Sequence, residues 1–233
     1  MSNLAFVRKE LAKHADKKQA KALQRFFKTG PGEYAQGDKF LGLKVPVIRR
    51  IAKAHQFLEL KSAIKLLHSS FHEERLLALF ILIFHYDRGD EKKKSEVYRL
   101  YLSSTRYINN WDLVDVTAKH IVGAFLLDKE RQVLDKLARS KYLWDRRISI
   151  LATAHFIGKG EFSDTLRIAK MLLSDRHDLI HKAVGWMLRE VGKRSLKQEE
   201  GFLKKYCRYM PRTMLRYAIE RFPENKRQAY LNS

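Results

Sequence analysis

The stretch 109-NNWDLVDVTAKHIVGAF-125 decides how the chain is read. Leu113, Val114, Ala118, Ile121, Val122 and Phe125 recur at the three- and four-residue spacing of one helix face, and no strand-like alternation lasts through it. The spacing predicts a helix beginning near Asn110, with Asn110 able to cap it and Asp112 placed in its first turn beside free backbone donors. Trp111 and Asp115 are four residues apart and so lie on one face, one turn apart. Asp115 is past the capping turn and needs another reason to sit among apolar neighbours. An ion pair with Lys119, or with Arg146 or Arg147 further along, is one; a catalytic carboxylate is another.

Working outward, the same periodicity fills most of the 233 residues. Eleven Gly and four Pro are too few to punctuate an all-β chain, so the expected class is all-α. Ser70-Phe-His-Glu73 and Ser195-Leu-Lys-Gln198 fit capping boxes, Pro46 and Pro211 suit first-turn positions, and Pro223 stops the last pattern. Comparable helices around Arg75, Asp112, Arg147, Lys182 and Thr213 stand 37, 35, 35 and 31 residues apart. Each interval holds one further helix, for example 130-ERQVLDKLARS-140, 162-FSDTLRIAKMLL-173 and 196-LKQEEGFLKKYC-207. Helix pairs at this period stack into an α-solenoid, here expected as a single curved domain over residues 1–233 whose concave groove is basic.

Charge narrows the partner. Forty-seven Lys plus Arg face 26 Asp plus Glu, a formal net charge of +21, and such an excess repels itself unless a polyanion is bound. Nucleic acid is the expected partner, with a basic protein of no special partner as the bland alternative. Cys207 is the single cysteine, which excludes intrachain disulfides and cysteine-rich zinc sites, and is expected to be a buried structural thiol. The longest apolar run, 76-LLALFILIF-84, is too short to cross a membrane, and the N-terminus reads as an amphipathic helix rather than a signal peptide. A cytoplasmic or nucleoid location is the default.

The Gly-rich stretch 29-TGPGEYAQGDKFLG-42 lacks the GK[ST] and GxGxxG patterns of phosphate loops and is expected to be a surface connection between helices. His177 and His181, like His68 and His72, have a zinc-compatible spacing but no evident third ligand, so no metal is expected. Trp111, Trp144 and Trp186 are the three tryptophans. Trp144 reads as core, whereas Trp186 follows Gly185, which would let another backbone or a ligand come close. Indole faces, a carboxylate and an arginine in a basic groove suit a cation or a sugar flanked by phosphates.

Three segments, FLGLKVPVIRR (40–50), NNWDLVD with the following helix (109–122) and HKAVGWMLREVGK (181–193), resemble the AlkD-type alkylpurine DNA glycosylases of the DNA alkylation repair family, built from HEAT-like repeats. The similarity runs from about residue 20 to residue 220. It implies excision of positively charged N3- or N7-alkylated purines, such as 3-methyladenine and 7-methylguanine, from duplex DNA by hydrolysis of the N-glycosidic bond, without drawing the base into a pocket. It implies that Trp111 and Trp186 bracket the lesion's deoxyribose, that Asp115 is the catalytic carboxylate, and that Arg147 grips the DNA backbone; Arg146, Lys182 and Arg189, on the helices of the same stacked wall, are expected to bind DNA as well. No cofactor is expected and the working form is expected to be a monomer. Phe26 departs from the family's tyrosine. Two other classes stay in view: a non-catalytic nucleic-acid-binding module of the same fold, and a protein-interaction scaffold.

Overall fold

The computed structural model describes residues 3–232 and is all-α, as the periodicity requires. By their contacts the residues fall into two compact units, one ending at Thr117 and the other beginning at Ala118.

The first unit holds α1 (Leu4–Lys13), α2 (Lys17–Phe26), α3 (Val45–Ala54), α4 (Leu60–Leu67), α5 (His72–Arg88), α6 (Glu91–Ser103) and the short α7 (Trp111–Asp115). Its axis is α5, whose Leu76, Leu77, Leu79, Ile81 and Leu82 are at most 1 % exposed, with α3, α4 and α6 packed around it. Burying a leucine or isoleucine side chain contributes roughly 1.5–3 kcal/mol, so this helix anchors the unit. The expected capping box is not formed. α5 starts at His72 without a side-chain cap, and the Glu73 carboxylate instead accepts from the backbone N–H groups of Leu41, Gly42 and Leu43 at 2.8–3.2 Å. Glu73 therefore ties down the end of the Gly-rich connection, which is not wholly a surface loop: Asp38, Phe40 and Gly42 are buried while Gln36, Gly37 and Lys39 are exposed. Gly42 carries a φ of +93°, and a Cβ there would lie 2.1 Å from the Asp16 carbonyl oxygen, so only glycine fits.

The second unit begins with a π-helical turn over Lys119–Gly123 and continues with α8 (Gln132–Ala138), α9 (Leu143–Ala152), α10 (Ala154–Ile157), α11 (Ser163–Met171), α12 (Asp178–Gly192), α13 (Leu196–Tyr206), α14 (Arg212–Ala218) and α15 (Glu224–Leu231). Trp144 is core, 2 % exposed. Gly185 resolves as a helix crossing: a Cβ would stand 2.4 Å from the Met214 carbonyl and 2.5 Å from Tyr217 Cβ, so its bareness lets α12 press on α14 rather than admit a ligand. Ser195 stands at the N-cap of α13 without a side-chain cap bond, and Cys207 is half-buried rather than buried.

The long helix expected from Asn110 onward is interrupted. α7 ends at Asp115 and helix resumes at Ala118, directly ahead of the π turn. Thr117 covers the break: its hydroxyl donates to the Leu113 carbonyl at 2.5 Å, while the Tyr101 hydroxyl lies 2.9 Å from it. The apolar residues on either side are nevertheless fully buried: Leu113 and Val114 before the break, Ala118, Ile121 and Val122 after it. Among the described residues no helix is long and apolar enough to cross a membrane.

Candidate active site

α7 is only five residues long, too short to be stable alone, so its position comes from what holds its ends. Asn110 caps it, accepting from the Trp111 N–H at 2.8 Å. Asn109 donates to Asp38 at 3.1 Å, and Asp38 in turn takes the Arg75 guanidinium at 2.7 Å. Asp112 does more than answer the helix dipole: one oxygen accepts from the Leu113 N–H and the other meets His72 Nε2, both at 2.8 Å. His72 is 2 % exposed and stacks on Phe27 and Phe40, with ring centroids 5.0 and 4.7 Å away. Its Nδ1 is 3.6 Å from Asp38, too long for a hydrogen bond but close for a charge.

Burial by itself would push the His72 imidazole down; the charge and hydrogen bond of Asp112, helped by Asp38 and opposed by Arg75, outweigh it and raise it to about 9. Burial likewise works against ionisation of Asp38, yet His72, Arg75 and Asn109 together hold its carboxyl below the usual range. Two cations and two carboxylates thus form a neutral, buried quartet at the base of α7, the arrangement in which internal charge is tolerated.

On this base Trp111 and Asp115 line one cavity of about 450 Å³, as their four-residue spacing demands. Its walls are mainly Leu23, Phe26 and Phe27 of the α2 region, Phe40, Ile48 and Leu76. Trp111 leans on Phe27 at 5.3 Å and meets the edge of Phe26 at 5.9 Å, and Phe26 is 63 % exposed at the cavity's edge. Asp115 is half-buried, and its charge adds to burial in pushing up the Tyr101 hydroxyl. The cavity therefore joins indole and phenyl faces to a carboxylate, which suits a cation or a sugar acquiring positive charge.

The remaining candidates belong to the second unit. Arg147, on α9, is 5 % exposed, and its Nη1 donates to the Leu179 carbonyl. Arg146 is held by Asp175 at 2.6 Å and also donates to the Ser140 and Lys141 carbonyls. On α12, Lys182 pairs with Asp178 at 2.6 Å, Arg189 with Glu220, and the half-buried Trp186 donates through Nε1 to Glu190 at 3.3 Å. His177 accepts from the Leu179 N–H and His181 contacts the Asp175 carbonyl, while His68 stacks on Tyr107 at 3.9 Å. Among the described residues no group of three or more His, Cys, Asp or Glu is placed to hold a metal ion.

The family model of the DNA alkylation repair enzymes matches residues 7–222. The chain belongs to this family. No curated protein matches it in sequence. Among solved structures, one described as "Predicted DNA alkylation repair enzyme from Enterococcus faecalis" shares the fold with a TM-score of 0.71 at 14% identity, over 91% of this chain and 98% of that one.

For a DNA alkylation repair enzyme, two features were not drawn from the sequence. One is His72, whose spacing from His68 suggested a metal pair while its true partners, Asp38 and Asp112, are 34 and 40 residues away along the chain. The signal available was four consecutive charged residues, 72-HEER-75, ahead of an apolar run, all four of them buried here. The other is α2, with four cations and no acid in ten residues.

Proposed function

We propose that this DNA alkylation repair protein is a monofunctional N-glycosylase that hydrolyses the glycosidic bond of cationic N3- and N7-alkylpurines in duplex DNA. Residues 1–233 act as one HEAT-like domain, a monomer that associates with the nucleoid and leaves the base outside any pocket. The reading is carried by one observation: Trp111 and Asp115 line the same aromatic cavity in a chain of this family. An alkylated purine already bears positive charge, so when its bond to C1′ breaks the bonding electrons leave with a neutral base and no general acid is needed. What remains is an oxocarbenium-like sugar. Asp115 stabilises that charge and orients the water that attacks C1′, as carboxylates do in glycoside hydrolysis. The Trp111 indole favours the cation over the neutral sugar by roughly 0.5–2 kcal/mol, the differential binding that accelerates a reaction.

Arg147, Arg146, Lys182 and Arg189 enter as contacts to the DNA backbone, each exchanging part of its intrachain bonding for phosphate. For Trp186 the proposal is that replacement by Ala slows release. The experiment is incubation of the protein with methylated duplex DNA and chromatography of the soluble fraction. Free 7-methylguanine and 3-methyladenine are expected, with matching abasic sites; no release at any salt concentration would leave a nucleic-acid-binding module in its place.

A further inference from the structure

α2 is built against its own stability. Lys17 and Lys18 occupy its first turn, where the helix dipole disfavours cations, and no acid stands there to compensate. Lys17, Lys21 and Arg25 follow at four-residue steps, so like charges face one another along one stripe. The Asp16 carboxylate is spent on capping the N–H groups of Lys18 and Gln19. Lys17, Lys18, Lys21 and Arg25 are all exposed, and no carboxylate among the described residues pairs with them. Arg146, Lys182 and Arg189, by contrast, each have one. The opposite stripe of α2, Gln19, Leu23 and Phe26, lines the cavity that holds Trp111 and Asp115. A repulsive, unpaired cation stripe backing onto a candidate site is a local conflict of the kind function maintains.

We infer that α2 is a phosphate-tracking rail, on which Lys17, Lys21 and Arg25 hold the backbone of the DNA strand that runs to the Trp111–Asp115 cavity. At about 1.5 Å of rise per residue the three stems span roughly 12 Å, which matches three to four phosphates of one strand at about 3.4 Å per charge along the duplex axis. Ionic contacts of this sort position a duplex without reading its sequence. The inference rests on DNA being the substrate, but not on base release.

The test is binding of the full chain to a short undamaged duplex, followed by fluorescence anisotropy over a range of salt concentrations. Lys17→Gln/Lys21→Gln/Arg25→Gln should lower the slope of log K against log salt by about two to three, and Lys21→Gln alone by about one. α2 buries no side chain completely, and circular dichroism checks that each variant folds. The comparison variant, Lys197→Gln/Lys204→Gln/Lys205→Gln on α13, removes the same charge and should leave the slope nearly unchanged. An unchanged slope in the α2 variants, an equal loss from the α13 variant, or no duplex binding by the unaltered protein at low salt would each overturn the rail. A slope lost on cue in a protein that releases no base would uphold the rail and remove the glycosylase reading.

Discussion

His72 shows how one residue connects stability to the candidate site. Its raised value of about 9, against an ordinary 6.5, means that folding favours the protonated ring. Its contribution, on the order of 3 kcal/mol, is complete below about pH 6.5 and is lost as pH rises through about 9. Denaturant unfolding at pH 7 and pH 10 should show that loss in the unaltered protein, and His72→Gln should be less stable at pH 7 with a flatter profile. Equal pH dependence in both proteins would contradict the assignment. Glu199 is a second such residue in the other unit: burial first and the charge of Glu200 next, opposed by Arg189, push its carboxyl up to about 8. Ionising it costs stability as pH rises through that value, so Glu199→Gln should raise the melting temperature relative to the unaltered protein at pH 9 and have less effect at pH 6. At this scale the sequence was legible where partners are local. Asn110 as a cap and the shared face of Trp111 and Asp115 follow from spacing, whereas the His72–Asp112 pair joins residues 40 apart and leaves no periodic trace.

Among the elements, helix positions were readable because apolar side chains recur every three or four residues and Pro46, Pro211 and Pro223 mark starts and stops. The break at Val116–Thr117 was not, since Thr117 replaces the missing helical bonding through its hydroxyl and leaves the apolar pattern intact. The burial of Asp38, Phe40, Gly42 and Leu43 was also hidden, because the segment is held by Glu73, some 30 residues later in the chain. Close approaches give the clearest test of this layer. Gly185→Ala should cost about 1–3 kcal/mol by forcing α12 away from α14, read as a lowered melting temperature. Gly42→Ala, which adds positive-φ strain to a clash with the Asp16 carbonyl, should cost at least as much. Wild-type melting in either variant would mean that these backbones are not in contact.

For the molecule as a whole, the net charge of +21 announced a polyanionic partner but not where it binds, because charge is counted without regard to pairing. Arg146 and Lys182, two of the cations expected on DNA, are paired within the chain, whereas no carboxylate among the described residues pairs with the exposed stripe of α2. The all-α class was plain from composition and period, and family membership makes alkylation damage in DNA the object of the protein's action. The proposed base excision depends on the Asp115 carboxylate. The measurement that bears on it most directly compares single-turnover release of 7-methylguanine from a defined duplex by the unaltered protein and by Asp115→Asn, with affinity for the same duplex measured in parallel. Loss of release by at least about a hundredfold, some 3 kcal/mol of transition-state stabilisation, with affinity changed less than about threefold, is the predicted result. Release at the unaltered rate by Asp115→Asn would contradict it.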